Sequence, residues 1–167
     1  MPHRFIAAVA AASLAAGATT AFADDGDHGG DHHRNDRVLE ADIFGSHPDD
    51  ATLFGVKPGG APWVIRRGEA EVRRDGRVEV EVKGLVIPTP PQNGTNPLPG
   101  IAATVFCGGK AVGTTKTVPF STTGDARIKD RLATSIPSPC VVPAVLLNPQ
   151  LGAAVNPGVY IAATGVR

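Results

Sequence analysis

Residues 68–87 read GEAEVRRDGRVEVEVKGLVI. Ala70 and Val72, then Val78, Val80 and Val82, alternate with Glu69, Glu71, Arg73, Glu79, Glu81 and Lys83. An apolar side chain at every second position suits a strand with one face on a core and the other in water. The two runs meet at Asp75-Gly76, which predicts a β-hairpin. A two-residue loop would set Val72 opposite Glu79 and mix the faces. A three-residue loop, Arg74-Asp75-Gly76, sets Val72 opposite Val78 and Ala70 opposite Val80, and gives Gly76 the left-handed position. The same register brings like charges together, Glu71 with Glu79 and Arg73 with Arg77. Diagonal neighbours such as Arg73 and Glu79 are expected to offset this on a wet surface.

Outward from the hairpin, further short strands are expected. RVLEADIF, from Arg37, alternates imperfectly through Val38, Glu40, Asp42 and Phe44. Other candidates are Trp63 to Arg67, Ile101 to Cys107, Ala111 to Pro119, Ala126 to Leu132, Val141 to Leu147 and Val159 to Thr164, with a turn at Gly108-Gly109. No stretch after residue 36 repeats apolar residues at helical spacing. Short strands punctuated by Gly and Pro predict an all-β fold, an Ig-like or Greek-key β-sandwich formed by residues 37–167. Two proline-rich segments, Ile87 to Gly100 and Ile136 to Pro149, are expected as stiff extended crossovers between sheets rather than central strands, because proline lacks a donor and fixes φ. Asn93-Gly94-Thr95 in the first also matches the glycosylation sequon, a short and frequent pattern.

The remaining sequence points to a compartment. His3 and Arg4 precede the apolar run Phe5 to Ala18, and Ala21-Phe22-Ala23 offers a small-x-small cleavage site. This predicts a secretory signal peptide over residues 1–23. The run is too short to span a bilayer and charge follows it directly, so no membrane span is expected. Cys107 and Cys140 are the sole cysteines, which in an exported chain predicts one structural disulfide. Removing Arg4 with the leader leaves 15 basic residues against 16 acidic, so the chain has no general attraction for nucleic acid or anionic lipid.

Between leader and domain lies DDGDHGGDHHRND, residues 24–36. Neutral imidazoles at His28, His32 and His33 could ligate copper, zinc or nickel. The tract has no apolar residue, cannot bury surface to order itself, and is expected as a disordered, solubilising acidic leader. Metal binding through those three histidines is the alternative.

Catalytic signatures fail on inspection. Ser46, His47, Asp49 and Asp50 are neighbours in a stretch of turn composition, whereas a triad needs its groups to converge from separate positions. Glu71, Glu79 and Glu81 share one face of the hairpin, as a pair of glycosidase carboxylates would, but alternate with Arg73 and Lys83 as on a solvated surface. CGGKAVGTTK lacks the order of a phosphate-binding loop. Trp63 and Tyr160 fall within strand patterns and are expected in the core. No cofactor is called for.

With its G-x-A-x-V run, D-G turn and G-L ending, RGEAEVRRDGRVEVEVKGLVI resembles the opening hairpin of secreted Greek-key sandwiches, including chordin-type and copper-zinc superoxide dismutase-like domains. After Arg37 only His47 could serve as a histidine ligand, so the likeness implies the fold without the dismutase's metal chemistry. A broader similarity, through PWVIRRGEAEVRRDGRVEVEVKGLVIP, GTNPLPGIAATVFCGGKAV, VPFSTTGDARIKDRL, CVVPAVLLNP and YIAATG, is to small exported β-sandwich proteins of unknown function from high-GC bacteria. It implies one cysteine-linked β fold and no particular activity. The expectation is a secreted, non-enzymatic module that contacts a protein or a cell-envelope component through the Ile87 to Gly100 loop and the wet face of the hairpin.

Overall fold

The computed structural model describes residues 36–165. Its strands are β1 (Arg37–Gly45), β2 (Lys57–Pro58), β3 (Arg67–Arg73), β4 (Arg77–Lys83), β5 (Gly100–Cys107), β6 (Lys110–Thr114), β7 (Val118–Pro119), β8 (Ala126–Arg131), β9 (Ala144–Leu151), β10 (Ala154–Val155), β11 (Val159–Tyr160) and β12 (Ala162–Thr164). The fold is all-β, with no helix among the described residues. The signal peptide and the leader up to Asn35, with His28, His32 and His33, lie outside them.

The hairpin forms in the expected register: Val72 faces Val78 and Ala70 faces Val80, across the loop Arg74-Asp75-Gly76. Gly76 takes φ +86°, and a Cβ there would come within 2.9 Å of the Thr134 carbonyl, so the position excludes a side chain twice over. Around the hairpin an antiparallel sheet runs in the order β6-β5-β9-β12-β1-β3-β4-β8. The two layers of the expected sandwich are thus halves of one curled sheet. Strand β1 belongs to both halves: Arg37 to Asp42 pair with β3, and Ile43 to Gly45 pair with β12. A corner strand of this kind lets a sheet fold over onto itself.

The halves differ in how they meet water. In β3 and β4 valines face inward and charges outward, so burial alternates. In β5 and β9 nearly every residue is buried, because residues 46–60 and β11 lie over their outer face. The inner core joins Val72, Val78, Val80, Val82 and Ile128 to Ile101, Val105, Val145 and Leu147. A second cluster outside the sheet gathers Val56, Phe106, Ala144, Leu146 and Tyr160. The imperfect alternation of β1 follows from this: Glu40 and Asp42 share a face with Phe44, which comes after the strand has passed from the wet half to the covered one.

Both proline-rich segments cross between halves, the first from β4 to β5 and the second from β8 to β9. Buried Asn96 braces the first: its Nδ2 donates to the carbonyls of Leu98 and Ser121, each at 2.9 Å, and its Oδ1 accepts from Leu98 N. The second is shorter than expected. Ala144 to Leu151 form a central strand, so the candidate strand Val141 to Leu147 shifts along the chain and takes Pro149 with it. Pro149 is tolerated because it closes the β5–β9 ladder, opposite Ile101, while its carbonyl accepts from Asn156 N at 2.9 Å. Residues 132–143 remain as a strap across one end of the fold. Leu132 N bonds Gly76 O, Ile136 N bonds Arg74 O, and the Cys107–Cys140 disulfide holds its far side.

Three other candidate strands are broken. Trp63 to Arg67 contributes a single bridge, Val64 with Val86, before β3 begins. Ala111 to Pro119 splits into β6 and β7, and Val159 to Thr164 splits at Ile161 into β11 and β12.

Candidate functional site

The outer face of β1, β3, β4 and β8 carries an open groove of about 490 Å³. Register alone builds it. Asp42, Glu69, Glu81 and Arg127 lie in one transverse row, and Glu40, Glu71, Glu79 and Lys129 in the next. Directly opposed side chains in antiparallel strands sit about 5 Å apart, so six carboxylates form a two-by-three grid closed on the β8 side by two cations. Arg67 and Lys83 border the grid at one end, and Arg73, Arg77 and Arg131 at the other.

Like charges coexist here because every glutamate of the grid finds a cation, while Asp42 forms no ion pair among the described residues. Glu69 accepts from Arg67 at 2.7 Å, Glu81 lies 3.1 Å from Lys83, and Glu79 lies 3.4 Å from Lys129. Glu71 Oε1 is 2.7 Å from Arg73 Nε and 3.5 Å from Arg37 Nε, close enough for charge pairing although neither N–H is aligned as a hydrogen bond. Arg37 also pairs with Glu40. The relief comes from neighbours two residues along the same strand, from Arg37 of β1 and from β8, not from the Arg73–Glu79 diagonal expected from sequence. Exposed pairs of this type contribute little stability individually and serve to hold side-chain orientation.

The acidities agree with an open surface. Lys83 draws the Glu81 carboxyl below its ordinary range, first by hydrogen bonding and then by charge. Asp75, Asp125 and Asp130 are also held low, chiefly by the backbone N–H groups of Arg77, Gly84 and Lys116. All four are held toward the ionised form, the direction opposite to that needed by a general acid, and of the four Glu81 alone lines the groove.

The remaining sequence candidates separate. Ser46 is buried, its Oγ donating to Tyr160 O at 3.3 Å. His47 is exposed; its Nδ1 accepts from Asp49 N at 3.4 Å, and Asp50 accepts from His47 N at 2.6 Å. They form the turn their composition implied, and serine and imidazole point apart. Trp63 and Tyr160 are buried in the two different cores, as expected for core residues. The Tyr160 hydroxyl donates to Ala51 O at 2.8 Å, and burial, followed by the charge of Asp50, raises its pKa. Asn93 sits at the exposed tip of the first crossover, its amide bonding Pro91 O at 3.2 Å.

The contribution of β1 to the grid was not read from the sequence. Its signal was present in the alternation of Glu40 and Asp42 with Leu39, Ala41 and Ile43, but placing β1 beside β3 requires the topology. No family model, curated protein or solved structure matches the chain.

Proposed function

We propose that the protein is an exported, non-enzymatic interaction module that engages a cationic partner, a protein or a cell-envelope component, through the carboxylate grid of β1, β3, β4 and β8. The observation that carries this reading is the grid itself: six carboxylates preset by strand register, with cations arranged around three sides. Rigid strands hold them, so a partner meets the pattern without an ordering cost in the backbone. A basic segment laid across β3 would exchange partners with Arg67, Arg73 and Lys83, which swing outward as it binds. Electrostatic complementarity of this type governs association rate and selectivity more than affinity. A disulfide supports the exported setting. Support for the non-enzymatic part comes from the ion pairs that hold the Glu69, Glu71, Glu79 and Glu81 carboxylates on an open surface, with Glu81 drawn toward its ionised form.

The test is retention on envelope preparations from the producing cells, comparing the native protein with a variant carrying Glu69→Gln, Glu71→Gln, Glu79→Gln and Glu81→Gln. Native protein should be retained at low salt and released near 0.3 M, where screening extends over only about 6 Å, and the variant should not be retained. Equal retention of both removes the grid from the reading. Hydrolytic or redox turnover that stays with the protein through purification rejects its non-enzymatic part.

A further inference from the structure

Strand β1 leaves the carboxylate grid at Asp42, and two residues further on Phe44 faces Ala163 of β12. Beyond this point the chain turns back over the sheet, and a recess of about 260 Å³ remains there. It is lined by Phe44 and Ala163 of the sheet, by Tyr160 of β11, and by Asp50, Ala51 and Leu53 of the covering segment. Tyr160 is 3% exposed, Phe44, Leu53 and Ala163 are half-buried, and Asp50 and Ala51 are exposed. The recess therefore has an apolar interior, continuous with the outer core, and a polar rim.

The polar groups of the recess are unequally used. Its side-chain donors are spent: the Tyr160 hydroxyl donates to Ala51 O at 2.8 Å, and Ser46 Oγ donates to Tyr160 O. Its acceptors are not. Asp50 Oδ2 accepts from His47 N at 2.6 Å, while Oδ1 has no hydrogen-bond donor and Asp50 no ion pair among the described residues. The Tyr160 oxygen, having given its proton away, keeps acceptor capacity, and it lies close enough to Asp50 to feel that charge. The cations of the neighbourhood are directed elsewhere. Lys57, the sole lysine or arginine between residues 46 and 60, does not line the recess, and neither does His47, which sits beside Asp49. Arg66 lies along Gly84, and Arg67 pairs with Glu69. A recess with apolar walls and only acceptors left among its side chains, one of them charged, matches a cationic donor with an aliphatic body. A single free carboxylate oxygen suits the point charge of an ammonium, whereas a guanidinium engages both oxygens of a carboxylate.

We propose that this recess binds a primary alkylammonium group. The ammonium sits at the rim and donates to Asp50 and to the Tyr160 oxygen, while the alkyl chain lies against Leu53 and Ala163. A free aliphatic amine and a lysine side chain of a partner protein both carry this group. Binding is weak, with Kd of about 1 mM, because the ligand is small and the rim stays wet. The site does not rest on the carboxylate grid, since none of the grid residues lines it.

The experiment is saturation-transfer NMR of the native protein with n-pentylammonium, 1-pentanol and Nα-acetyl-lysine methylamide. Pentylammonium should bind saturably, and the uncharged alcohol at least about tenfold more weakly. Asp50→Asn keeps an acceptor for His47 N but removes the charge, and should weaken pentylammonium at least about tenfold. Ala163→Val narrows the recess and should weaken amine and alcohol alike, with the urea midpoint checked by Trp63 fluorescence; if that variant does not fold, Asp50→Asn decides. Tighter binding of the lysine amide than of pentylammonium supports a protein side chain as the source, and the reverse order supports a free amine. The proposal is overturned if neither amine binds saturably, if 1-pentanol binds as tightly as pentylammonium, or if Asp50→Asn leaves amine binding intact. It is equally overturned if the variant with Glu69, Glu71, Glu79 and Glu81 changed to glutamine loses amine binding, because the amine would then sit on the grid.

Discussion

Replacing Cys107 and Cys140 together by serine tests the account of the strap most directly. The two sulfurs are joined across a sequence separation of 33 residues. Closing a loop of that length removes about 4 kcal/mol of conformational freedom from the unfolded chain in the loop-entropy model. The folded state should change little, because the strap keeps its backbone bonds at Leu132, Ile136 and Val141. Trp63 is the sole tryptophan and is 7% exposed, so its fluorescence reports unfolding. With a urea dependence of about 1.5 kcal/mol/M for a domain of this size, the midpoint should fall by about 2.5 M. The slope should rise somewhat, since the unfolded chain without its cross-link exposes more surface. A midpoint shift below about 0.5 M at unchanged slope would refute the reasoning, since the cross-link would then not be restricting the unfolded ensemble.

Leu147→Ala removes a fully buried side chain from the inner core and should cost about 3 kcal/mol, read as a lower urea midpoint with the fold retained by circular dichroism. Asp130 closes the seam between β8 and the chain after β6, accepting from Lys116 N at 2.7 Å and from Arg131 N at 2.8 Å, and these bonds depress its folded pKa. A depressed carboxyl contributes stability above its unfolded pKa of about 3.9 and loses it as pH falls through the lower folded value. Stability of the native protein should therefore decline below about pH 4, and Asp130→Asn should show a shallower decline over the same range; parallel urea midpoints at neutral and acid pH check this.

The hairpin was legible because its two faces differ in every residue from Glu69 to Lys83, leaving a single register that keeps the valines together. The crossovers were legible from proline. What escaped was long-range. Residues 46–50 read as turn and 51–60 carried no pattern, yet together they cover the outer face of β5 and β9; the clue was that IAATVF and AVLLN do not alternate, as strands buried on both faces do not. Pro149 misled in the other direction, since a proline can end a ladder as well as interrupt one. For the grid, each row of carboxylates draws on three separate strands, and a period-two pattern says which face a residue occupies but not which strand lies beside it.

Strand β1 lies beside β12, with Gly45 facing Ala162 and Ile43 facing Thr164. Strand β1, the first described strand, thus finds one of its two neighbours only in β12, the last described strand. Until β12 is in place, that edge of β1 has no ladder partner and the halves have no shared hinge. The pairing has high sequence separation, the kind whose loop-closure entropy must be met before its contacts form.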